Sequence, residues 1–306
     1  MAQYYSIDDI KARIIARGSK ASKINWLVNE AGFNKADAEN TYKLLISVCD
    51  RPRTISNRPI RFTMGVELEC TNVNISGVIN ACRTRNINIS GDGRGYYHSN
   101  GNDGFEVKHD GSLESSAGDT YGTAEIVSPI LHNLDSLKSL CGVLNEGGVT
   151  VNKTCGCHVH LGASQFTDAM WYRIVCNYAR LEALIDSFMP KSRRGDENTY
   201  CRSIVAKAHV VEGRPNISFE EMRRYFGSRY YKVNLQAYAT HKTIEFRQHG
   251  GTTSFTKIEN WVNFVAGLCA WSMRHEELIS ATSIDEIPFL NAEQKAFFKN
   301  RAEALA

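Results

Sequence analysis

The spacing of hydrophobic positions changes along this chain near residue 60. Before that point Ile7, Ile10, Ile14 and Ile15 recur at helical spacing and stop at Gly18, with Ser6 and Asp9 as a start signal. Ser22 opens a second helical pattern through Trp26, Leu27 and Val28 to Gly32, and Asn34 opens a third carrying Ala38, Tyr42, Leu45 and Val48. Residues 1–50 therefore predict three short helices. They suit an appendage or oligomerisation arm better than a helix-turn-helix, because seven Lys plus Arg against six Asp plus Glu attract phosphate weakly. Two prolines and the arginines 51, 53, 58 and 61 then mark a basic linker. The expected organisation is a helical N-terminal module with its linker over 1–58 and a larger domain over 59–306.

Beyond the linker, short runs with strand-like alternation fall at about 61–70, 104–109, 123–129, 154–162, 231–238 and 242–249. Helical patterns fall at about 76–84, 134–146, 167–188, 218–226, 255–274 and 291–305. Ser218 with Glu221 and Thr256 with Glu259 fit the capping box. Irregular alternation without a regular βαβ repeat predicts an α+β domain on a mainly antiparallel sheet. Two loops stand apart: residues 91–104, with five glycines, and the basic stretch 190–198.

Composition narrows the class. A chain of 306 residues that is 42% hydrophobic and 23% charged can bury a sizeable core, which excludes whole-chain disorder. No apolar run reaches membrane-spanning length, and Met1-Ala2-Gln3-Tyr4-Tyr5 has neither a basic nor an apolar leader segment, so a cytoplasmic protein is expected. Nine scattered cysteines without a Cys-x-x-Cys pair read as reduced thiols in the core. A net charge of +3 does not imply nucleic acid for the whole chain.

The candidate chemistry lies in polar residues placed two apart within apolar strands. Alternation puts Glu67 and Glu69 on one strand face, with Val66, Leu68 and Cys70 on the other. Two carboxylates so close repel unless a cation neutralises them or one stays protonated; solvent exposure on an edge strand is the bland alternative. The same spacing pairs His158 with His160, and sets Glu245, Arg247 and His249 on one face. Asp110 in a turn and Glu125 at a strand start add carboxylates. So many oxygens with few imidazoles suit magnesium or manganese better than zinc. A zinc finger from Cys155, Cys157, His158 and His160 is disfavoured, because alternation divides thiols from imidazoles. Hard cations bridge phosphate oxygens, and Arg247 is suited to a transferring phosphoryl group.

In order along the chain stand Gly65-Val-Glu-Leu-Glu69, Asp110-Gly-Ser112, Glu125-Ile-Val-Ser-Pro129, Cys155-Gly-Cys-His-Val-His-Leu-Gly162, Arg194 with Asn198-Thr-Tyr-Cys201, and Thr243-Ile-Glu-Phe-Arg-Gln-His-Gly-Gly-Thr252. Over about residues 61–275 the chain resembles the putative amidoligase family, a branch of the carboxylate-amine ligase superfamily with glutamine synthetase and glutamate-cysteine ligase. The resemblance implies a curved, mainly antiparallel sheet of the glutamine synthetase-like catalytic type with flanking helices. It also implies ATP- and magnesium-dependent amide formation through an acyl phosphate. Position by position, it implies Glu67, His158 and Glu245 at one metal, Glu69, Asp110 and Glu125 at a second, and Arg247 on the transferring phosphoryl group. His160 would contact substrate or phosphate, and Arg194 with Arg193 would close over nucleotide or a substrate carboxylate. Glu114 is recommended only by its spacing from Asp110. Substrates would be a small-molecule or peptide carboxylate and an amine, in a bacterial or phage setting, with a nucleic-acid acceptor as a lesser alternative. A metal-dependent amidase, or a degenerate ligase domain that binds nucleic acid or protein, are the competing expectations. The tyrosine run Arg229-Tyr-Tyr-Lys232 is an aromatic pair open to core packing or to stacking on a base.

Overall fold

The computed structural model describes residues 20–31, 34–49, 62–91, 104–115 and 122–306. The expected first helix, the 51–60 linker and most of the glycine-rich 91–104 loop lie outside these residues. The chain divides into two compact units, Met1–Thr54 and Ile55–Ala306.

In the first unit, α1 (Lys20–Asn29) and α2 (Lys35–Cys49) bury Trp26, Leu27 and Ala38 in a small core of their own. Asn34 caps α2 as expected, its side-chain oxygen accepting the Asp37 amide at 2.9 Å. Helix α1 already runs from Lys20, two residues before the expected Ser22 start.

The second unit is a mixed α+β fold. Its strands are β1 (Met64–Cys70), β2 (Ile89–Ser90), β3 (Phe105–Lys108), β4 (Ala124–Val127), β5 (Gly156–Gly162), β6 (Val233–Asn234) and β7 (Thr243–Gly250). They form one open sheet in the order β2-β3-β4-β1-β5-β7-β6, antiparallel except for the β2–β3 pair. The helices are α3 (Ile75–Thr84), α4 (Asp135–Glu146), α5 (Asp168–Ser187), α6 (Val205–Glu212), α7 (Phe219–Phe226), α8 (Ala237–His241), α9 (Phe255–Arg274) and α10 (Ala292–Ala304). Among the described residues no helix is long and apolar enough to cross a membrane.

Alternation decides how the sheet is used. Val66, Leu68 and Cys70 of β1, Cys157, Val159 and Leu161 of β5, and Ile244 and Phe246 of β7 join one buried core with residues of α4, α5 and α9. Leu140 and Leu144, Trp171 and Tyr178, and Trp261 and Phe264 come from those helices. The intervening polar residues are thereby turned to the other face. All eight described cysteines outside the first unit are free and buried, as small core residues.

Departures from the expected elements have local causes. The strand expected over 231–238 shrinks to β6 because the chain turns into α8, which ends at Lys242 with φ 56°. Helix α6 escapes periodicity because its apolar residues do not form one stripe; Val205 and Val210 are exposed while Ala208 and Val211 are buried. Helix α7 has the expected Ser218 cap, whereas α9 begins at Phe255, which places Thr256 inside its first turn instead of at the cap. A reciprocal capping box forms instead at Asn291 and Gln294.

A buried ionic network ties the helix layer to the sheet. Lys232, fully buried just before β6, donates to Glu182 at 2.9 Å and to Asp186 at 2.8 Å, both on α5. Gln248 on β7 donates to the same Asp186 carboxylate and accepts the Tyr178 hydroxyl. Glu182 also accepts the Ile204 amide at 3.0 Å. Removing the cation would leave two carboxylates with only neutral donors. Lys232→Ala is therefore expected to cost about 3–5 kcal/mol, measured as the shift in unfolding free energy by urea titration.

Candidate active site

Four neighbouring strands, β4, β1, β5 and β7, build the polar face. Register places Glu69 opposite Glu125, Glu67 opposite His158, and His160 opposite Glu245. Gly65 faces His160 across β1 and β5. A Cβ at that position would meet the stem of His160 at ordinary contact distance, and the ring reaches Glu67.

A β-bulge sets the β7 residues. Cys157 pairs with His249 and Val159 with Phe246, so the single His158 stands against two residues, Arg247 and Gln248. Arg247 stays on the polar face, ion-paired through Nη1 to the neighbouring Glu245 Oε1. Gln248 turns to the helix layer. The parity change corrects the expectation that His249 shares a face with Glu245 and Arg247. Its ring lies 5.8 Å from that of Trp261, its Nδ1 bonds the Gly250 carbonyl, and burial, helped by Arg301, holds its pKa down at about 3. His249 is a neutral core residue.

The two remaining histidines bind the carboxylates together. His158 Nδ1 is 3.0 Å from Glu67 Oε2 and 3.7 Å from Glu245 Oε1, and its Nε2 is 3.5 Å from Glu69 Oε1. His160 Nδ1 bonds the Thr243 hydroxyl at 2.9 Å, which directs Nε2 towards Glu67 (3.4 Å) and Glu245 (3.9 Å). That Nε2 is buried and has no hydrogen-bond partner. Glu69 accepts the Gly156 amide. A Cβ at Gly156 would stand 2.7 Å from His158 Nε2 and 3.1 Å from Glu69 Oε2, so only glycine lets the β5 backbone approach the cluster.

Among the described residues, three groupings have ligand atoms close enough to share a cation: Glu67 with His160 and Glu245, Glu67 with Glu125 and His158, and Glu69 with Asp110 and Glu125. The third coincides with the set that the resemblance implies for one metal. Of the other implied set, His158 lies 3.0 Å from Glu67 and 3.7 Å from Glu245 and groups with Glu67 and Glu125, while His160 groups with Glu67 and Glu245. Asp110 is fixed by a turn in which its Oδ1 accepts the Ser112 amide and hydroxyl at 2.8 and 2.7 Å. Glu114 is exposed and belongs to none of these groupings among the described residues.

The two adjacent arginines make different contacts. Arg194 donates to the Met189 and Leu305 carbonyls at 2.8 and 2.7 Å, so its guanidinium clasps main chain and not the cluster. Arg193 is buried beside it, its Nη2 3.2 Å from the Thr154 carbonyl and 4.0 Å from Glu69 Oε2. Two contributors escaped the sequence reading. Thr243 orients His160, and Asn234, opposite Glu245 in β6, donates to Glu245 Oε2. Thr243 stands two residues before Glu245 and so shared the spacing that singled out the others, whereas Asn234 is visible only once β6 is paired.

Electrostatics follow from this crowding. Burial would raise the Glu67 pKa, but the two imidazoles reverse that and hold it well below the usual carboxylate range. Glu245 is likewise held low against burial by His160 and Arg247. Burial and the charges of Glu67, Glu69 and Asp110 push Glu125 up to about 9. A carboxyl held protonated at neutral pH among other carboxylates, and in another part of the cluster the His160 Nε2 without a hydrogen-bond partner, are groups that a bound cation would satisfy. The donor set is mostly oxygen, which fits magnesium or manganese.

A raised carboxyl pKa stabilises the fold below its unfolded value and loses that contribution as pH climbs to the folded value. Protein held in chelator should therefore lose thermal stability between about pH 4.5 and about pH 9 through Glu125. Glu125→Gln should flatten that decline, and magnesium should raise Tm more at about pH 8.5 than at about pH 6, because binding must displace a proton. Thermal melts across pH check this, and a wild-type profile as flat as that of Glu125→Gln would contradict it. Gly156→Ala should reduce cation affinity at least about tenfold in a calorimetric titration, by displacing His158 and Glu69.

No curated protein matches the sequence. Residues 60–269 match the family model described as "Putative amidoligase enzyme", a stretch that runs from just before β1 into α9 and contains every residue of the cluster. The chain belongs to this amidoligase family.

Proposed function

We propose that this protein is an ATP- and magnesium-dependent carboxylate-amine ligase that forms an amide through an acyl phosphate. The observation that carries the reading is the row of carboxylates and imidazoles across β4, β1, β5 and β7, crowded enough to hold Glu125 protonated, with Arg247 at one end. Such a face suits a reaction in which several anions must be brought together.

Magnesium would be held by Glu67, His160 and Glu245, by Glu67, Glu125 and His158, and by Glu69, Asp110 and Glu125. When bound it supplies charge neutralisation for phosphate oxygens and for the substrate carboxylate. In the reaction, a carboxylate oxygen attacks the γ-phosphorus, the bond to the β–γ bridging oxygen breaks, and ADP leaves. The amine nitrogen then attacks the acyl carbon, loses a proton, and phosphate departs with the electrons of the C–O bond. Arg247 donates to the phosphoryl oxygens as their charge redistributes, which requires it to exchange its Glu245 partner for phosphate. Thr243 keeps the His160 Nε2 directed at Glu67 and Glu245 throughout. Arg193, buried beside Glu69, contributes fixed positive charge.

ADP release with magnesium ATP, hydroxylamine and pools of carboxylates tests the reading, because hydroxylamine intercepts an acyl phosphate without the natural amine. Wild-type protein should form a hydroxamate together with ADP. Arg247→Ala should lower the rate by about 10³-fold or more, and Glu67→Gln and Glu245→Gln should abolish it while the circular dichroism spectrum is retained. ADP release at the wild-type rate in all three variants would contradict the reading. Amide hydrolysis in nucleotide-free buffer would favour an amidase instead.

A further inference from the structure

The tyrosine run singled out in the sequence has a place in the fold that the ligase chemistry leaves unused. The segment Tyr200–Arg202 lies against Tyr230–Lys232: the Arg202 amide donates to the Tyr230 carbonyl at 2.9 Å, and the Lys232 amide to the Arg202 carbonyl at 2.8 Å. Lys232 in turn accepts the Arg247 amide at 2.9 Å, so both segments continue the sheet beside β7. Two aromatic rings emerge from this extension. Tyr200 and Tyr230 have centroids 5.4 Å apart and planes at 83°, forming a right-angled corner. The guanidinium of Arg229 lies 5.1 Å from the centre of the Tyr230 ring.

This corner is neither core nor random surface. Tyr200 is 49% exposed, although its backbone is pinned, its amide donating to Asn198 Oδ1 at 2.8 Å. Its carbonyl lies 3.4 Å from Arg247 Nε. The backbone that carries the Tyr200 ring therefore meets the guanidinium assigned above to the phosphoryl group. Two rings at a right angle and an arginine are the elements by which proteins take up a nucleic-acid base without reading its hydrogen-bonding edge. A planar group recognised here would belong to the same molecule as a phosphate chain held at Arg247.

We infer that Tyr200, Tyr230 and Arg229 form the subsite for the base of the nucleoside triphosphate. This rests on the nucleotide reading of the site, with the base stacked in the aromatic corner and the phosphate chain running towards Arg247. Stacking tolerates any base face, so purine and pyrimidine triphosphates should be separated by the strength of stacking and not by a sharp cutoff.

The test compares two probes on the full chain, magnesium ATP and magnesium tripolyphosphate, by calorimetry. Wild type should bind ATP at least about tenfold more tightly than tripolyphosphate. Tyr200→Ala should weaken ATP by about 5- to 100-fold and leave tripolyphosphate unchanged, Tyr230→Ala should do the same, and Tyr200→Trp should restore ATP affinity. Equal wild-type affinity for the two probes, or an ATP-to-tripolyphosphate ratio unaltered in both alanine variants, overturns the base subsite while the phosphate reading stands. Failure of wild type to bind either probe overturns the nucleotide reading itself. If the alanine variants instead raise KM for the carboxylate in the hydroxamate assay with ATP affinity intact, the corner belongs to the acceptor and the inference is wrong.

Discussion

Crowded carboxylates on one face of a strand pair decide how this sheet is assembled. Glu69 stands opposite Glu125 and Glu67 lies two residues away on the same face, in the middle of a sheet whose other face is sealed by the core. A one-residue slip of β1 would exchange these carboxylates for Val66, Leu68 and Cys70 and drive the charges into the apolar layer. The register is therefore fixed by burial behind and is held against repulsion in front. Burial cannot relieve the repulsion; only imidazoles, guanidinium, protons or cations can. The chain itself supplies His158 and His160 bracketing Glu67, Arg247 on Glu245, and a proton on Glu125.

The bulge in β7 lets two chemistries share one strand. Up to Arg247 the strand alternates between core and site, and after it Gln248 and His249 both serve the helix layer. Gln248 joins Tyr178 and Asp186 in the network that also holds Lys232, and the Lys232 carbonyl accepts the Arg247 amide. The arginine on the polar face is thus seated by a buried ionic network on the other face.

Much of this was legible in the sequence because alternation is a local property. The sharing of a face by Glu67 and Glu69, and by His158 and His160, needs only period two, and so does the burial of the residues between them. Helices α3, α4, α5, α7 and α9 could be read from their apolar stripes, and α10 was read as a helix although it carries no such stripe. What failed depends on non-local or irregular geometry. His249 was misplaced because a bulge shifts parity without leaving a mark in the composition. Asn234 was missed because pairing between β6 and β7 decides what it faces. Arg193 and Arg194 are adjacent and chemically identical, and a single turn of 3-10 helix over Lys191–Arg193 sends one into the interior and the other to the main chain. Helix α6 offered no stripe to read.

The clasp made by Arg194 also bears on where the working unit ends. Its Nη2 donates to the Leu305 carbonyl, just after α10, and Arg301 of α10 donates to the Phe188 carbonyl at 2.7 Å, immediately before the turn that carries Arg193. Phe298 of the same helix stacks against Phe188 with ring centroids 4.5 Å apart. These contacts come from beyond residue 269, where the family match stops. The recognisable family segment is therefore in contact with a helix that lies beyond it in this chain. The turn that carries Arg193 and Arg194 is braced through Arg194 and Phe188 by a helix outside the shared signature, and a version cut to the signature would carry the cluster without those contacts.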